Sequence, residues 1–250
     1  MNFEQFSRGS SLLHLTDPRV KIICTAVLSL VIALCQEFST AVVGLLIGVV
    51  LVIVARLSMA MVLRRLLIVN SFNILLWLLL PLTYGKQPIF NFAGLSISEP
   101  GLCLAALITI KANAIILFFI SLLATSTVAR LGHGLQGLHL SPRLCMLLLF
   151  SYRYIFVIHQ EYKRLHRAAK LRCFAPRTNL HTYKTYGHLL GMLLVKSWNR
   201  AVRVRQAMEL RGFSGTFYSL HELEMSRIDY LMLAGMLMGG LGLFLLEVLH

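Results

Sequence analysis

The chain has 250 residues, of which 57% are hydrophobic, and a mean hydropathy of +0.74. A soluble domain is roughly 45–50% apolar, so this composition excludes an ordinary soluble protein. The formal charge is +14 although only 14% of the residues are charged, so the basic residues must be concentrated in part of the chain.

Five apolar runs are predicted to cross a bilayer, because a spanning helix needs roughly 20 mostly apolar residues. They cover residues 20–36, 39–55, 66–83, 101–125 and 228–247. Asp17 and Pro18 are predicted to start the first helix, since Asp caps a helix and Pro suits its first turn. The segment 57–67, LSMAMVLRRLL, mixes apolar and basic residues and is predicted to form a separate short interfacial helix.

The distribution of Lys and Arg predicts the orientation of these spans, because cytoplasmic loops carry the excess of basic residues. The loop 36–40 has no Lys or Arg, the loop 56–65 has three, and the loop 84–100 has one. The segment 129–227 carries sixteen Lys or Arg against four Glu. This alternation predicts a cytoplasmic N-terminus, five spans, a cytoplasmic segment 129–227 and an external C-terminus.

Two shorter apolar runs, 144–158 and 188–195, leave the number of spans open. If both crossed the membrane, the strongly basic loop between them would lie outside, which the charge rule opposes. Each run is instead expected at the interface or beneath the bundle, continuing into a basic helix. These basic helices are predicted over 159–173 and 183–211, and the second is expected to stop at Gly212 in a left-handed cap.

A short phrase occurs at the end of both predicted basic helices: AAKLRCF at Ala168–Phe174 and AMELRGF at Ala207–Phe213. Both phrases keep Ala, Leu, Arg and Phe at the same spacing. A planar guanidinium at each tip suits bidentate contact with a carboxylate of a partner. Single arginines here would be explained by the helix dipole or by anionic lipid. Neither explanation requires the phrase to recur. The repeat therefore favours two equivalent helix tips that fit into two equivalent binding sites, or sockets, on a partner.

These phrases resemble the paired Ala-Arg-Gly signatures of the transmembrane T component of energy-coupling factor (ECF) importers. The segment His14–Lys21 resembles the family's entry to the first span, and Cys173–Phe213 is most similar to the cobalt-importer branch, the CbiQ type. The resemblance implies an all-α integral membrane protein with about five transmembrane helices plus a cytoplasmic coupling domain of basic amphipathic helices. The implied domains are 1–128, 129–227 and 228–250, with the middle one carrying the coupling helices.

By this resemblance, each signature arginine docks into a groove on one of two ATP-hydrolysing subunits. The corresponding positions in this chain are Ala168, Leu171, Arg172 and Cys173 in the first phrase and Ala207, Leu210, Arg211 and Gly212 in the second. Leu replaces the signature Ala in both phrases, and Cys173 replaces the signature Gly in the first. The two sockets are therefore expected to be similar but not equally well fitted.

The resemblance also implies the partners and the location. The partners are two ATP-binding subunits, a metal-binding membrane S component and membrane lipids. The location is the inner membrane of a prokaryote. The cargo is expected to be Co²⁺, with nickel or a vitamin as the alternative, and to be bound by a partner. ATP is expected on the partner ATPases, because this chain has no Walker loop. No cofactor, catalytic residue or nucleic acid is expected for this chain, and an independent permease or membrane enzyme is the less favoured interpretation.

Four polar residues within the predicted spans are further candidates, since polar groups in a bilayer are costly and often functional. They are Lys111 and Asn113 in the fourth span and Asn70 and Asn73 in the third. No acidic partner for Lys111 is expected among the spans. These residues are therefore predicted to make polar contacts between helices rather than an ion relay.

Overall fold

A computed structural model describes residues 11–83, 88–92, 95–215 and 225–249. Its helices are α1 (Leu12–Leu15), α2 (Pro18–Leu34), α3 (Phe38–Val54), α4 (Met59–Thr83), α5 (Glu99–Phe118), α6 (Val128–Gly137), α7 (Pro142–Leu171), α8 (Leu180–Glu209) and α9 (Arg227–Leu249). A π-helical turn, Phe119–Leu123, continues α5. Strands β1 (Pro88–Phe92) and β2 (Leu95–Ser98) form an antiparallel hairpin between α4 and α5. The predicted helical membrane class is confirmed, with this hairpin as a small addition.

The chain divides into two compact units. The first comprises residues 1–138 and 223–250 and contains α1 to α6 together with α9. Within it, α5 packs against α2, α3 and α4, and α9 packs against α2 and α3. Its apolar core includes Leu28, Ile32, Phe118, Leu122 and Leu243, each at most 1% exposed.

Residues 139–222 form the second unit, in which α7 and α8 pack against each other. The short helix α6 belongs by its contacts to the first unit, where it packs against α2. The functional boundaries expected from the sequence, at 128/129 and 227/228, stay predictions.

Three described helices are long and apolar enough to cross a membrane: Met59–Thr83, Glu99–Leu123 and Arg227–Val248. The helices α2 and α3 fill most of two further predicted spans but have 17 residues each. At 1.5 Å per residue they reach about 26 Å, less than a hydrocarbon core of about 30 Å. The membrane character of the chain is confirmed, and the number of five complete spans stays a prediction.

The separate interfacial helix predicted over 57–67 is wrong, because residues 59–83 form the single helix α4. The carbonyl of Ser58 accepts hydrogen bonds from the N–H groups of Met61 and Val62, so the helix starts here. Neither glycine nor proline interrupts the next turns, and the backbone hydrogen bonds therefore continue from the basic Arg64 and Arg65 into the apolar part.

The helix α8 also begins earlier than predicted, at Leu180 rather than 183. The side chain of Asn179 accepts a hydrogen bond from the N–H of Thr182, which is an N-cap the sequence interpretation overlooked. The apolar run 188–195 consequently lies inside α8. The run 144–158 continues without a break into basic residues within α7, as predicted.

A carboxylate near each end of α9 accepts hydrogen bonds from backbone N–H groups at the start of a neighbouring helix. Asp229 accepts the N–H of Asp17 over 3.0 Å, where α2 begins, and the N–H of Ser226 over 2.9 Å, where α9 begins. The N-termini of helices have unsatisfied N–H groups, so each of these bonds removes a costly buried donor. A second carboxylate, Glu247, lies near the other end of α9 and accepts the N–H groups of Gln36 and Glu37, which are exposed, at the start of α3.

Candidate coupling site at two helix tips

The first phrase ends α7 in a Schellman turn. The N–H of Phe174 donates to the carbonyl of Ala169 over 3.1 Å, and the N–H of Cys173 donates to the carbonyl of Lys170 over 3.0 Å. This pair of bonds satisfies carbonyls that would otherwise be left free at a helix end. Cys173 has φ +63°, in the left-handed region that a residue with a side chain rarely adopts.

The second phrase ends α8 with the same two bonds. The N–H of Phe213 donates to the carbonyl of Met208 over 3.1 Å, and the N–H of Gly212 donates to that of Glu209 over 3.0 Å. Gly212 has φ +78°, so the left-handed cap predicted at this position is present. Cys173 occupies the equivalent position in the first tip, where no glycine signals it in the sequence.

The identical turns place the two arginines equivalently. Arg172 and Arg211 each stand immediately before the left-handed residue, and both are exposed. Leu171 is 88% exposed and Leu210 is 90% exposed, the highest values for large apolar side chains in the described part of the chain. Each tip therefore presents a leucine and an arginine side by side to the surroundings.

Small residues flank both arginine tips. Ala168 and Ala207 are exposed and lie four residues before their arginines. A methyl side chain lets another protein surface approach the helix backbone closely. Within each tip the predicted residues are neighbours in the chain, and the two tips terminate different helices, so their role in docking stays a prediction.

The phenylalanine after each left-handed residue is partly buried. Phe174 lies edge-on to the ring of Tyr186, with centroids 5.7 Å apart, and against His181 at 6.4 Å. Phe213 lines a groove of about 620 Å³ between α7 and α8. The groove is mainly apolar, and its wall includes Met146, Phe150, Tyr154, Val204 and Met208.

The helices α7 and α8 run antiparallel and are joined by one ion pair near their middle. The ammonium of Lys196 lies 2.6 Å from one carboxylate oxygen of Glu161, and Arg164 lies 2.8 Å from the other. The hydrogen bond from Lys196 holds the pKa of Glu161 below its usual range. Glu161 therefore stays ionised at neutral pH and keeps both cations in place.

Lys111 is bound to the turn between α2 and α3. Its ammonium donates a hydrogen bond to the carbonyl of Cys35, and Glu247 accepts the N–H groups of Gln36 over 2.5 Å and Glu37 over 3.3 Å. Since Glu247 lies in the predicted fifth span and binds the same turn as Lys111, the expectation that Lys111 has no acidic partner among the spans is wrong. A carboxylate near the end of a span was overlooked, although it is visible in the sequence.

Of the three predicted asparagines, Asn70 and Asn73 lie in α4 and Asn113 lies in α5, and the contact found between the first two is within one helix rather than between helices. Asn73 is 5% exposed and donates to the side-chain oxygen of Asn70 over 3.2 Å. One turn further along α4, the indole N–H of Trp77 donates to Thr109 of α5 over 3.0 Å. The buried side-chain oxygen of Asn113 has no hydrogen-bond partner among the described residues. Sequence reasoning missed the polar contact between Trp77 of α4 and Thr109 of α5.

A buried lysine near the start of α2 was also missed. Lys21 is 1% exposed and donates to the hydroxyl of Ser126 over 2.6 Å. In the sequence it counts as one more basic residue before the first span. Its burial depends on Ser126, which is distant in the chain, so no local signal could identify it. No group of three or more His, Cys, Asp or Glu placed to hold a metal ion occurs in the described part of the chain.

A comparison with protein families matches residues 9–221 to the CbiQ model, described as a cobalt transport protein. This match covers most of the chain. The chain belongs to the CbiQ family. The similarity inferred from the two arginine phrases is therefore confirmed.

The chain is also similar to individual proteins. The chain is 28% identical over 221 residues to the energy-coupling factor transporter transmembrane protein EcfT of Bacillus subtilis, covering 83% of this chain and 82% of that protein. It is 36% identical over 84 residues to the nickel permease LarQ of Lactiplantibacillus plantarum, covering 34% of this chain. It is 28% identical over 109 residues to an uncharacterized protein of Methanocaldococcus jannaschii, covering 43% of this chain. These last two matches span only 30% and 40% of the relatives' own lengths.

The left-handed positions predict opposite effects of substitution at the two tips. Gly212→Ala adds a Cβ at positive φ and should destabilise the end of α8 by about 1 kcal/mol, whereas Cys173→Gly should stabilise the end of α7. Hydrogen exchange measured by mass spectrometry should become faster over the last turn of α8 and slower over that of α7. Gly191→Ala, inside α8 and facing open space, is the control and should slow exchange. Slower exchange in Gly212→Ala would contradict the assigned turn.

The contact of Lys111 predicts that Lys111→Met loosens the turn between α2 and α3. A hydrogen bond from a charged group contributes about 1.5–3 kcal/mol, so a membrane-permeant maleimide should label the buried thiol of Cys35 about tenfold faster. Labelling at Cys35 is measured by mass spectrometry of the detergent-solubilised chain. Lys163→Met, on the exposed surface of α7, should leave this rate unchanged. An unchanged rate in Lys111→Met would show that the bond does not hold the turn.

Proposed function

We propose that this protein is the transmembrane T component of an ECF-type importer and that its two tips dock into grooves on two ATP-binding subunits. The single observation that carries the proposal is the equivalence of the tips. Two different helices end in the same hydrogen-bonded turn and present the same exposed Leu-Arg pair. Membership of the CbiQ family and the extended similarity to EcfT support this assignment.

The chemistry of each tip suits a groove that combines an apolar pocket with a carboxylate. Fully burying a leucine side chain contributes about 1.5–3 kcal/mol, and both leucines are almost completely available for it. The guanidinium beside the leucine binds a carboxylate through two parallel hydrogen bonds, which fixes the orientation as well as the position. Two such anchors hold this chain to a pair of subunits.

This arrangement makes the second unit a mechanical link. ATP binding draws the two ATP-binding subunits together, and the anchored ends of α7 and α8 move with them. The ion pair between Glu161 and Lys196 joins the two helices near their middle, so a displacement of one tip is transmitted to the other helix. The resulting motion reorients a substrate-binding S component in the membrane.

The cargo we infer is Co²⁺, bound by the S component rather than by this chain. The description of the family supports cobalt, and the similarity to a nickel permease over 84 residues makes nickel the alternative. In this proposal the protein lies in the inner membrane of a prokaryote. Its N-terminus and the segment 129–227 are cytoplasmic, and its C-terminus is outside.

Charge reversal at the tips tests the docking. Arg172→Glu and Arg211→Glu should each weaken co-purification with the ATP-binding subunits at least tenfold, and the double variant should abolish it, because each change replaces an attraction by a repulsion. Association and transport-linked ATP hydrolysis are measured on the full chain in nanodiscs. Arg167→Glu, on the exposed flank of α7, controls for the change in overall charge. Normal association and ATP hydrolysis in the double variant would refute docking through the tips.

Thiol labelling tests the orientation. In a background with the exposed Cys103 and Cys173 replaced by serine, Leu180→Cys should react with a membrane-impermeant maleimide only in inside-out vesicles. Leu180 is 70% exposed at the start of α8, so its accessibility is not limited by packing. Reaction in right-side-out vesicles would place the segment 129–227 outside and overturn the proposed topology.

A further inference from the structure

Five aromatic rings form a continuous ladder beneath the Arg172 tip. Tyr162 and His166 stack within α7, with centroids 5.8 Å apart and planes 13° apart. His166 stacks in turn on Tyr186 of α8 at 6.3 Å and 14°. Tyr186 meets the edge of Phe174 at 5.7 Å and 82°, and Phe174 lies 6.4 Å from the ring of His181. The ladder therefore runs from α7 to Tyr186 of α8, back to Phe174 after the tip of α7, and on to His181 of α8.

The loop that follows the tip is attached to α8 at a second point. The N–H of Arg177 donates to the hydroxyl of Thr182 over 3.0 Å, and this hydroxyl donates to the side chain of Asn179 over 2.7 Å. Thr182 is 6% exposed. The residues between Arg172 and the start of α8 are thus held through Phe174 on one side and through Arg177 on the other.

The first tip has a particular need for such support. Its left-handed position is occupied by Cys173 at φ +63°, which is disfavoured for any residue with a Cβ. Backbone strain of this kind persists only where the surrounding contacts hold it. If residue 173 returned to negative φ, the chain direction would change directly beside Arg172. Gly212 adopts φ +78° without this penalty, so the backbone of the second tip does not depend on the same kind of support.

We propose that Tyr186 and Phe174 are positioning residues for Arg172: their edge-to-face contact holds the strained turn at Cys173 and thereby sets the direction in which Arg172 enters its socket. This inference rests on the proposed function and adds to it a residue of α8 that lies outside the repeated phrase. Loss of an aromatic pair of this geometry is expected to change the equilibrium between the ordered and the open turn by a factor between about two and about ten. Tyr186 thereby makes docking of the α7 tip dependent on α8.

Substitutions at Tyr186 test the proposal on the full chain in nanodiscs. Tyr186→Ala should weaken association with the ATP-binding subunits about three- to tenfold, whereas Tyr186→Phe, which keeps the ring, should bind like the unaltered protein. The decisive variant is Tyr186→Ala combined with Cys173→Gly. Since glycine adopts the left-handed conformation without strain, this pair should regain most of the lost association. Cys173→Gly alone is the reference, because a gain of the same size with Tyr186 present would reflect only a more stable tip.

A spin label on Cys173 gives a measurement that does not involve the partner. With Cys103 replaced by serine, the label should be more mobile in Tyr186→Ala and unchanged in Tyr186→Phe. The matched control carries the label on the second tip, in a chain with Cys173→Gly and Gly212→Cys. In this chain, Tyr186→Ala should have no effect on the mobility of the label.

The outcomes separate the two proposals. If Arg172→Glu leaves association intact, docking through the tip is refuted. If Arg172→Glu weakens association but Tyr186→Ala does not, or if Cys173→Gly fails to rescue it, Tyr186 does not position Arg172. Equal mobility of the label on Cys173 with and without the Tyr186 ring would also overturn the positioning role, whatever the result of the binding experiment.

Discussion

The constraint on which this structure depends is that every helix end must satisfy its backbone N–H or C=O groups. A bilayer core offers no water for this purpose, and in the first unit several of the partners are side chains from other helices. Asp229 accepts the N–H of Asp17, while Glu247 and Lys111 bind the two sides of the turn between α2 and α3. These groups let two short helices end beside longer ones without leaving bare backbone in an apolar environment.

In the second unit the same constraint is met locally. At the ends of α7 and α8, backbone N–H groups of the following residues satisfy the carbonyls through Schellman turns, so these carbonyls need no hydrogen bond from a neighbouring side chain. Arg172 and Arg211 consequently remain exposed at the ends of rigid helices. A helix tip that is already capped can be presented to a partner, and this property connects the local hydrogen bonding to the proposed docking function.

Much of this site could be predicted from the sequence, because helix stops and repeated phrases are local signals. The stop at Gly212 and the equivalence of Arg172 and Arg211 follow from residues close together in the chain. The left-handed Cys173 could not be predicted, because a cysteine carries no such preference. The separate helix predicted over 57–67 failed for a related reason: a change from basic to apolar composition does not interrupt backbone hydrogen bonds, so α4 continues through it.

The sequence by itself determined that this is a helical membrane protein and where its two basic helices end, since composition, charge and cap residues act over a few turns. Only the tertiary structure decided which distant groups meet: Lys111 with Cys35, Lys21 with Ser126, and Phe174 with Tyr186. In each pair, a residue of one helix meets a residue in the turn beside another helix. Their contact depends on how those helices pack, and helix packing is a property of the whole apolar surface rather than of any short segment.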